Sequence, residues 1–335
     1  MSGSVTSVFG EPDDFHAALR EDGVLSLLVT GNGPFRARLT QVALDHMHLS
    51  AGDEHLSRIA FVSVPTDTLL VSLPIGDRPG PIWGGVEMQA SELMTFGPGQ
   101  RIHARTDGPR RWGVIRLSSE DLAEYGRAFS GAEFALPPIA RWRPRRAALR
   151  QLCHFHRAAI RTAEARLAAL ADSEAAHGLE QQVIHALILC LSARPVNQET
   201  EAASRSRGLV ARFENLLLGE PFPSMHRVSV TLGISKRILR EYCQKHLGMG
   251  PDRYRRLRGM QLVRRALQSG AAETSSVCEV AKRYGFRDLR RFVINYRALY
   301  GELPSATLQR TSRAPQHTPS KWTQVKGSYK LYQLN

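Results

Sequence analysis

The chain has 335 residues, 42% hydrophobic and 23% charged, the balance of an ordinary globular protein of about two domains. It carries a formal charge of +14, unevenly placed: residues 1–206 hold 21 basic and 23 acidic side chains, whereas residues 207–310 hold 20 and 8. With no run of about 18 apolar residues, no basic segment ahead of an apolar one in Met1–Gly10, and no C-x-x-C pair among Cys153, Cys190, Cys243 and Cys278, neither a membrane span, a secretory leader, a disulfide framework nor structural zinc is expected, and the expected location is the cytoplasm.

The stretch to about residue 118 reads as short strands: Arg36–Val42, Arg58–Val62, Thr68–Leu73, Glu92–Phe96, Arg101–Arg105 and Trp112–Leu117, each bounded by Gly, Pro, Asp or Asn. Strands so short and so regularly punctuated point to an antiparallel sandwich or barrel. Within them Trp83, Met94 and Trp112, with Phe61, are candidates to line a small-molecule effector pocket, and Pro79–Gly85 is a loop of a kind that covers one. The alternative for each aromatic is a place in the core.

From Ser119 the apolar period changes to that of helices. Ser119–Phe129 opens on a serine followed by acids, as a capped helix does. Pro144–Leu170 and Ala175–Ala193 then repeat apolar residues at helical spacing and suit an antiparallel hairpin. Its stripe, with Leu149, Leu152, Ile160, Leu167 and Leu170 on one helix and Val183, Leu187 and Leu191 on the other, either closes the first domain's own core or pairs with a second copy of the chain. Residues 195–207 are polar and read as a linker. The boundaries that follow are a first domain at 1–194, a second at 208–310, and a basic tail at 311–335.

The second domain repeats one supersecondary unit. A short helix through Val228–Leu232 meets Gly233, and Ser235 caps a helix at Lys236–Leu247, which makes a helix-turn-helix. Ile238, Leu239 and Tyr242 are expected on its buried face. The same order recurs with Val277, Val280 and Ala281, the turn Tyr284-Gly285-Phe286, and a helix over Arg287–Tyr300. Between them Asp252–Gln268 reads as one long helix that sets the separation of the two units. Basic residues at the start of each second helix, Lys236, Arg237 and Arg240 in one and Arg287, Arg290 and Arg291 in the other, are where major-groove reading takes place. On the connecting helix Arg256 and Arg264 are expected to meet phosphate or solvent. A basic third beside a neutral remainder suits a surface that neutralises phosphates.

Residues 208–310 resemble the DNA-binding domain of the AraC/XylS family of bacterial transcription regulators. The resemblance is carried by Leu-Gly-Ile-Ser at 232–235, Leu-Gly-Met-Gly-Pro at 247–251, Tyr284-Gly285-Phe286, Leu289 with Arg291-Phe292, and Tyr-Gly-Glu-Leu-Pro-Ser at 300–305. Glu241, Cys243, Asp288 and Arg290 depart from the usual pattern. Glu241 either accepts from cytosine or pairs with a neighbouring arginine. The resemblance implies an α+β multidomain chain, with an N-terminal β-barrel or cupin-like sensor domain carrying a helical hairpin and a C-terminal all-α tandem helix-turn-helix domain. It also implies a regulator, activators being commoner, whose partners are promoter or operator double-stranded DNA, RNA polymerase, a small-molecule effector and a second copy in a homodimer. Residues 25–118 resemble the family's cupin-like barrel more weakly, through Phe96–His103. His46, His48, Glu54 and His103 would suit iron or manganese, but their spacing is not that of enzymatic cupins. No metal, no cofactor and no catalytic activity is therefore expected. The alternatives are a cupin-type metal enzyme fused to a DNA reader and a non-specific architectural DNA-binding protein.

Overall fold

A computed structural model describes residues 3–76, 79–130, 136–165, 173–219, 222–269 and 276–313. Its first half is built on two antiparallel sheets packed face to face. One has eight strands in the order β1 (Gly3–Phe9), β3 (Ala37–Ala43), β4 (Met47–Glu54), β11 (Arg110–Ser118), β6 (Thr68–Leu73), β9 (Leu93–Phe96), β12 (Ile139–Trp142) and β13 (Pro195–Gln198). The other has five: β2 (Val24–Val29), β5 (Arg58–Ser63), β10 (Arg101–Thr106), β7 (Ile82–Trp83) and β8 (Val86–Glu87). The barrel is not closed; the strands form a sandwich. A short helix, α1 (Pro12–Leu19), lies between the first two strands in sequence.

The sandwich interior is lined by Leu27, Leu39, Val62, Trp83, Phe96, Trp112 and their neighbours, all buried. Each buried indole keeps a partner for its N–H, as burial of a donor demands: Trp83 donates to Ser72 Oγ at 3.1 Å, Trp142 to Thr95 Oγ1 at 2.9 Å, and Trp112 to Glu54. Strand β4, Met-His-Leu-Ser-Ala-Gly-Asp-Glu, has little intrinsic preference for a strand. It is held as one because β3 and β11 take its backbone groups on both sides. The Trp112 indole lies over Gly52, where a Cβ would come within 2.2–2.6 Å of the ring.

The outer face of the eight-stranded sheet is covered by α2 (Ser119–Ser130) and by the hairpin of α3 (Arg146–Glu164) and α4 (Ser173–Leu191). Leu149, Leu152, Ile160, Val183, Leu187 and Leu191 are buried in one cluster with Val42, Leu49, Val71 and Ile115 of the sheet. The hairpin's stripe thus closes the chain's own core. Leu167 and Leu170 lie outside the described residues, as does the tail beyond residue 313.

The stretch 195–207 is not the polar linker that its composition suggests. Pro195–Gln198 is strand β13, paired with β12, and Glu201–Leu218 is a helix, α5. Thr200 caps α5 by accepting from the Ala203 amide at 3.2 Å. The helix buries Ser206, Val210, Phe213, Glu214 and Leu217, so its first two turns look polar while one face is already interior. Six further helices follow: α6 (Met225–Leu232), α7 (Lys236–Leu247), α8 (Pro251–Gln268), α9 (Val277–Arg283), α10 (Leu289–Tyr300) and α11 (Pro304–Arg313).

The two halves share a core. Leu28 of β2 and Ile59 of β5 are buried with Val210, Phe213, Val228, Leu239, Leu247 and Tyr254 of the helical half. A second helical cluster, with Met260, Val263, Leu267, Val280, Phe292 and Tyr296, belongs to the last four helices.

Candidate nucleic-acid interface

Two helix-turn-helix units are assembled from local signals. In the first, the Ser224 side chain caps α6 by accepting from the Arg227 amide, and Gly233 ends that helix at φ 64°, a left-handed conformation that suits glycine. The Ser235 hydroxyl then accepts from the Ile238 amide at 3.3 Å and starts α7. In the second, Ser276 and Glu279 form a reciprocal capping box at the start of α9, and Gly285 turns the chain at φ 83°. Asp288 caps α10, accepting from the Arg291 amide at 3.0 Å. Helix α8 carries the chain from the first unit to the second.

Lys236, Arg237 and Arg240 on α7 are exposed, as are Arg290 and Arg291 on α10. Arg287 is exposed too, but it precedes the Asp288 cap and so sits in the turn, not on the helix that its position in sequence suggests. None of these six side chains has an ion pair or side-chain hydrogen bond among the described residues, nor does Glu241. Neighbouring α-helical positions therefore present free cations at the helix starts. Ile238, expected on the buried face, is 40% exposed, and Ile294 is 61% exposed one turn beyond Arg290. The helical period placed Leu239 inward correctly; it cannot separate a flanking position such as Ile238 from the stripe beside it.

Helix α8 divides its arginines. Arg253 and Arg256 are exposed. Arg255 stacks over the Phe222 ring at 5.2 Å. Arg258 is fully buried, 3.2 Å from Glu214. Arg264 is buried rather than solvated: it lies 4.6 Å over Tyr300 and 2.7 Å from Glu11. Arg265 pairs with Asp13 at 2.6 Å and meets His16. The basic helix thus turns one side to solvent and anchors the other to the N-terminal half.

The anchor is a closed polar cluster. The Glu214 carboxylate accepts from Ser26 Oγ at 2.7 Å and from the Tyr254 hydroxyl at 2.5 Å, faces the Arg258 guanidinium, and lies 3.9 Å from His103 Nε2. Burial alone would raise its pKa; Arg258 and these donors outweigh that and hold it down at about 2. His246, at the end of α7, hydrogen-bonds with Ser206 at 3.0 Å, and burial lowers its pKa to about 4.

The effector candidates are partly brought together. Trp83 and Met94 border a cavity of about 350 Å³ between the sheets and the helical half, with Ile102, Arg141, Arg207 and Lys245 around it. Trp112 does not reach it. Trp112 and Trp83 instead share a gap of about 40 Å³ inside the sandwich, beside the Arg58–Glu54 ion pair. The four side chains considered for a metal are separated. Glu54 is bound by Arg58 at 2.9 Å and stands six residues along β4 from His48, roughly 20 Å at the usual strand rise. His103 belongs to the other sheet, stacked on Phe61 at 4.7 Å. Among the described residues no three His, Cys, Asp or Glu side chains gather as a metal site.

Residues 228–310 match the family model of a helix-turn-helix domain. The same region is similar to transcriptional activators of the XylDLEGF operon from Pseudomonas putida. One is 38% identical over 90 residues, covering 27% of this chain and 28% of the relative. Another is 40% identical over 87 residues, covering 26% of each. Residues 228–310 are a helix-turn-helix domain similar to that region of these activators. The match spans little more than a quarter of those relatives' own length. Among solved structures, the AraC-like transcriptional activator CuxR aligns over 83% of this chain and 99% of its own at 16% identity, with a TM-score of 0.42. ToxT from Vibrio cholerae O395 aligns over 93% and 99% at 8% identity, with a TM-score of 0.26. At those scores the likeness carries no argument about the N-terminal half.

Proposed function

We propose that this protein is a sequence-specific transcription regulator of the activator type, not an enzyme, and that α7 and α10 are its reading helices. The observation that carries this reading is the pair of capped helix starts with unpaired, exposed cations, Lys236, Arg237 and Arg240 on one and Arg290 and Arg291 on the other. Arg287 joins the second set from the turn. Ile238 and Ile294 add exposed apolar groups of the kind that meet a thymine methyl. Promoter DNA and RNA polymerase are the partners that this function requires, and the cytoplasm is where it acts.

The division of labour runs from 1–194, a sensor, to 208–310, the reader. The cavity bordered by Trp83 and Met94 supports an effector site there, because its wall includes both the sandwich and the last turn of α7. Trp112 belongs to the effector reading only as packing behind Trp83. A homodimer is consistent with such a regulator, though the hairpin stripe is already used inside the chain. The architectural alternative is tested by comparing affinities. Selection from random duplexes, followed by binding at about 0.15 M salt, is expected to yield a site held at least about 10³-fold tighter than random DNA. Equal affinity for both would replace this reading with the architectural one.

A further inference from the structure

A second cavity, of about 210 Å³, lies between α3 and the outer face of the eight-stranded sheet and shares no lining residue with the one at Trp83 and Met94. The sheet is thin there. Gly113, opposite Ala51 in the β4–β11 register, has no side chain. A Cβ at that position would stand 2.6 Å from Ile75 Cδ1 and 3.0 Å from His156 Cε1. Ile75 and His156 therefore settle onto the glycine, and the space beside them stays open against Ile160 and the edge of Trp112.

The charge around this space is unbalanced. Four arginines border it, Arg38, Arg111, Arg157 and Arg161, against two carboxylates, Asp53 and Glu164. Arg111 is bound by Asp53 at 2.9 Å, and Arg38 approaches Glu164 at 3.9 Å. That leaves Arg157 and Arg161, one helical turn apart on α3, with no carboxylate partner among the described residues. Among the described residues Arg157 donates only to the Cys153 carbonyl, at 3.1 Å. His156 is fully buried at the same place, bonded through Nε2 to the Ser50 carbonyl at 3.2 Å, and its Nδ1 has no hydrogen-bond partner among the described residues. Two guanidiniums on the rim of an apolar recess form a complementary environment for an anion with a hydrocarbon body.

We propose that this cleft binds a small organic carboxylate, its body against Ile75, Ile160 and Trp112 and its charge between Arg157 and Arg161. The site is independent of DNA recognition and stands or falls without it. The test is a calorimetric titration of the full chain, without DNA, with straight-chain carboxylates from acetate to octanoate. Affinity is expected to rise roughly fourfold per added methylene until the recess is full. The double variant R157M/R161M, at two exposed positions, is expected to fold as the parent does and to lose at least about tenfold in affinity. I160W, which fills the recess, is expected to abolish binding of the longer acids. No heat with any acid at about 10 mM, or unchanged affinity in R157M/R161M, would overturn the proposal.

Discussion

Glu214 has no solvent contact and yet is charged, because Arg258 and three polar neighbours from both halves of the chain, Ser26, Tyr254 and His103, converge on it. Taking one member out of such a cluster leaves the others buried and uncompensated, a cost of about 3–5 kcal/mol. Glu214→Gln keeps one acceptor oxygen, puts an NH2 donor where the other oxygen accepted from Ser26 or Tyr254, and removes the charge that Arg258 faces. We expect it to lower the urea midpoint with little change in slope; an unaltered midpoint would mean that the pair contributes nothing net. On the DNA side, Arg237→Ala and Arg290→Ala are each expected to lose about 1–3 kcal/mol for the preferred site and to relax preference at one or two base pairs. Arg256, equally exposed but on α8, should when changed to Ala weaken all sequences alike and reduce the salt slope by at most about one unit. Binding-site selection with the three variants separates readers from positioners. Retained sequence preference in both reader variants would remove α7 and α10 from that role.

At the scale of elements, what was legible in the sequence was what is locally encoded. Ser235 and Gly233 announce a helix start and a helix stop because the side chain of one and the dihedrals of the other act within three or four residues. The six strands read from alternation and turn residues are present as β3, β5, β6, β9, β10 and β11. Strands β4 and β13 were hidden because their hydrogen bonds come from chain neighbours far away in sequence, and α5 because part of its buried face is polar: Ser206 awaits His246, and Glu214 awaits Arg258. The anchoring roles of Arg264 and Arg265 were illegible for the same reason, since Glu11 and Asp13 lie some 250 positions earlier. The cap makes its own prediction. Ser235→Ala should destabilise α7 by about 1 kcal/mol and weaken DNA binding, whereas Ser235→Asp should restore most of both. Thermal melting and gel-shift affinity check this, and an equal loss in both variants would argue against a capping role.

For the whole molecule, burial of titratable groups sets how stability responds to acid. His16, His156 and His246 are each held near a pKa of about 4, burial being the largest cause in every case, with Arg265 and Arg20 adding to it at His16 and His103 and Lys245 at His246. The unfolded chain binds protons at these positions from pH 6.5 downwards while the folded chain refuses them. The stability they supply is thus full above 6.5 and falls by roughly 1 kcal/mol per group per pH unit towards 4. Below 4.5 the lowered pKa of Glu214 adds to the loss in the same direction. His16 and His246 lie where the halves meet, so that contact should loosen first, and melting between about pH 7 and pH 5 should show it; a flat profile would refute the assignment. The shared core bears on whether the reader can be separated. Removing the sheets takes away Leu28 and Ile59 from the cluster around Val210 and Phe213 and opens Glu214 and Arg258 to water, where an ion pair is worth little. None of that touches the exposed cations of α7 and α10. A fragment of residues 199–335 keeps the Thr200 cap and the Ser206–His246 bond, so it should fold, melt below the full chain, and bind DNA with the same steep salt dependence. A fragment beginning at 208 lacks the first two turns of α5 and should be markedly less stable. Circular dichroism and salt titrations of both fragments decide the matter: a folded 199–335 fragment without DNA affinity at low salt would place the binding surface outside the helical half.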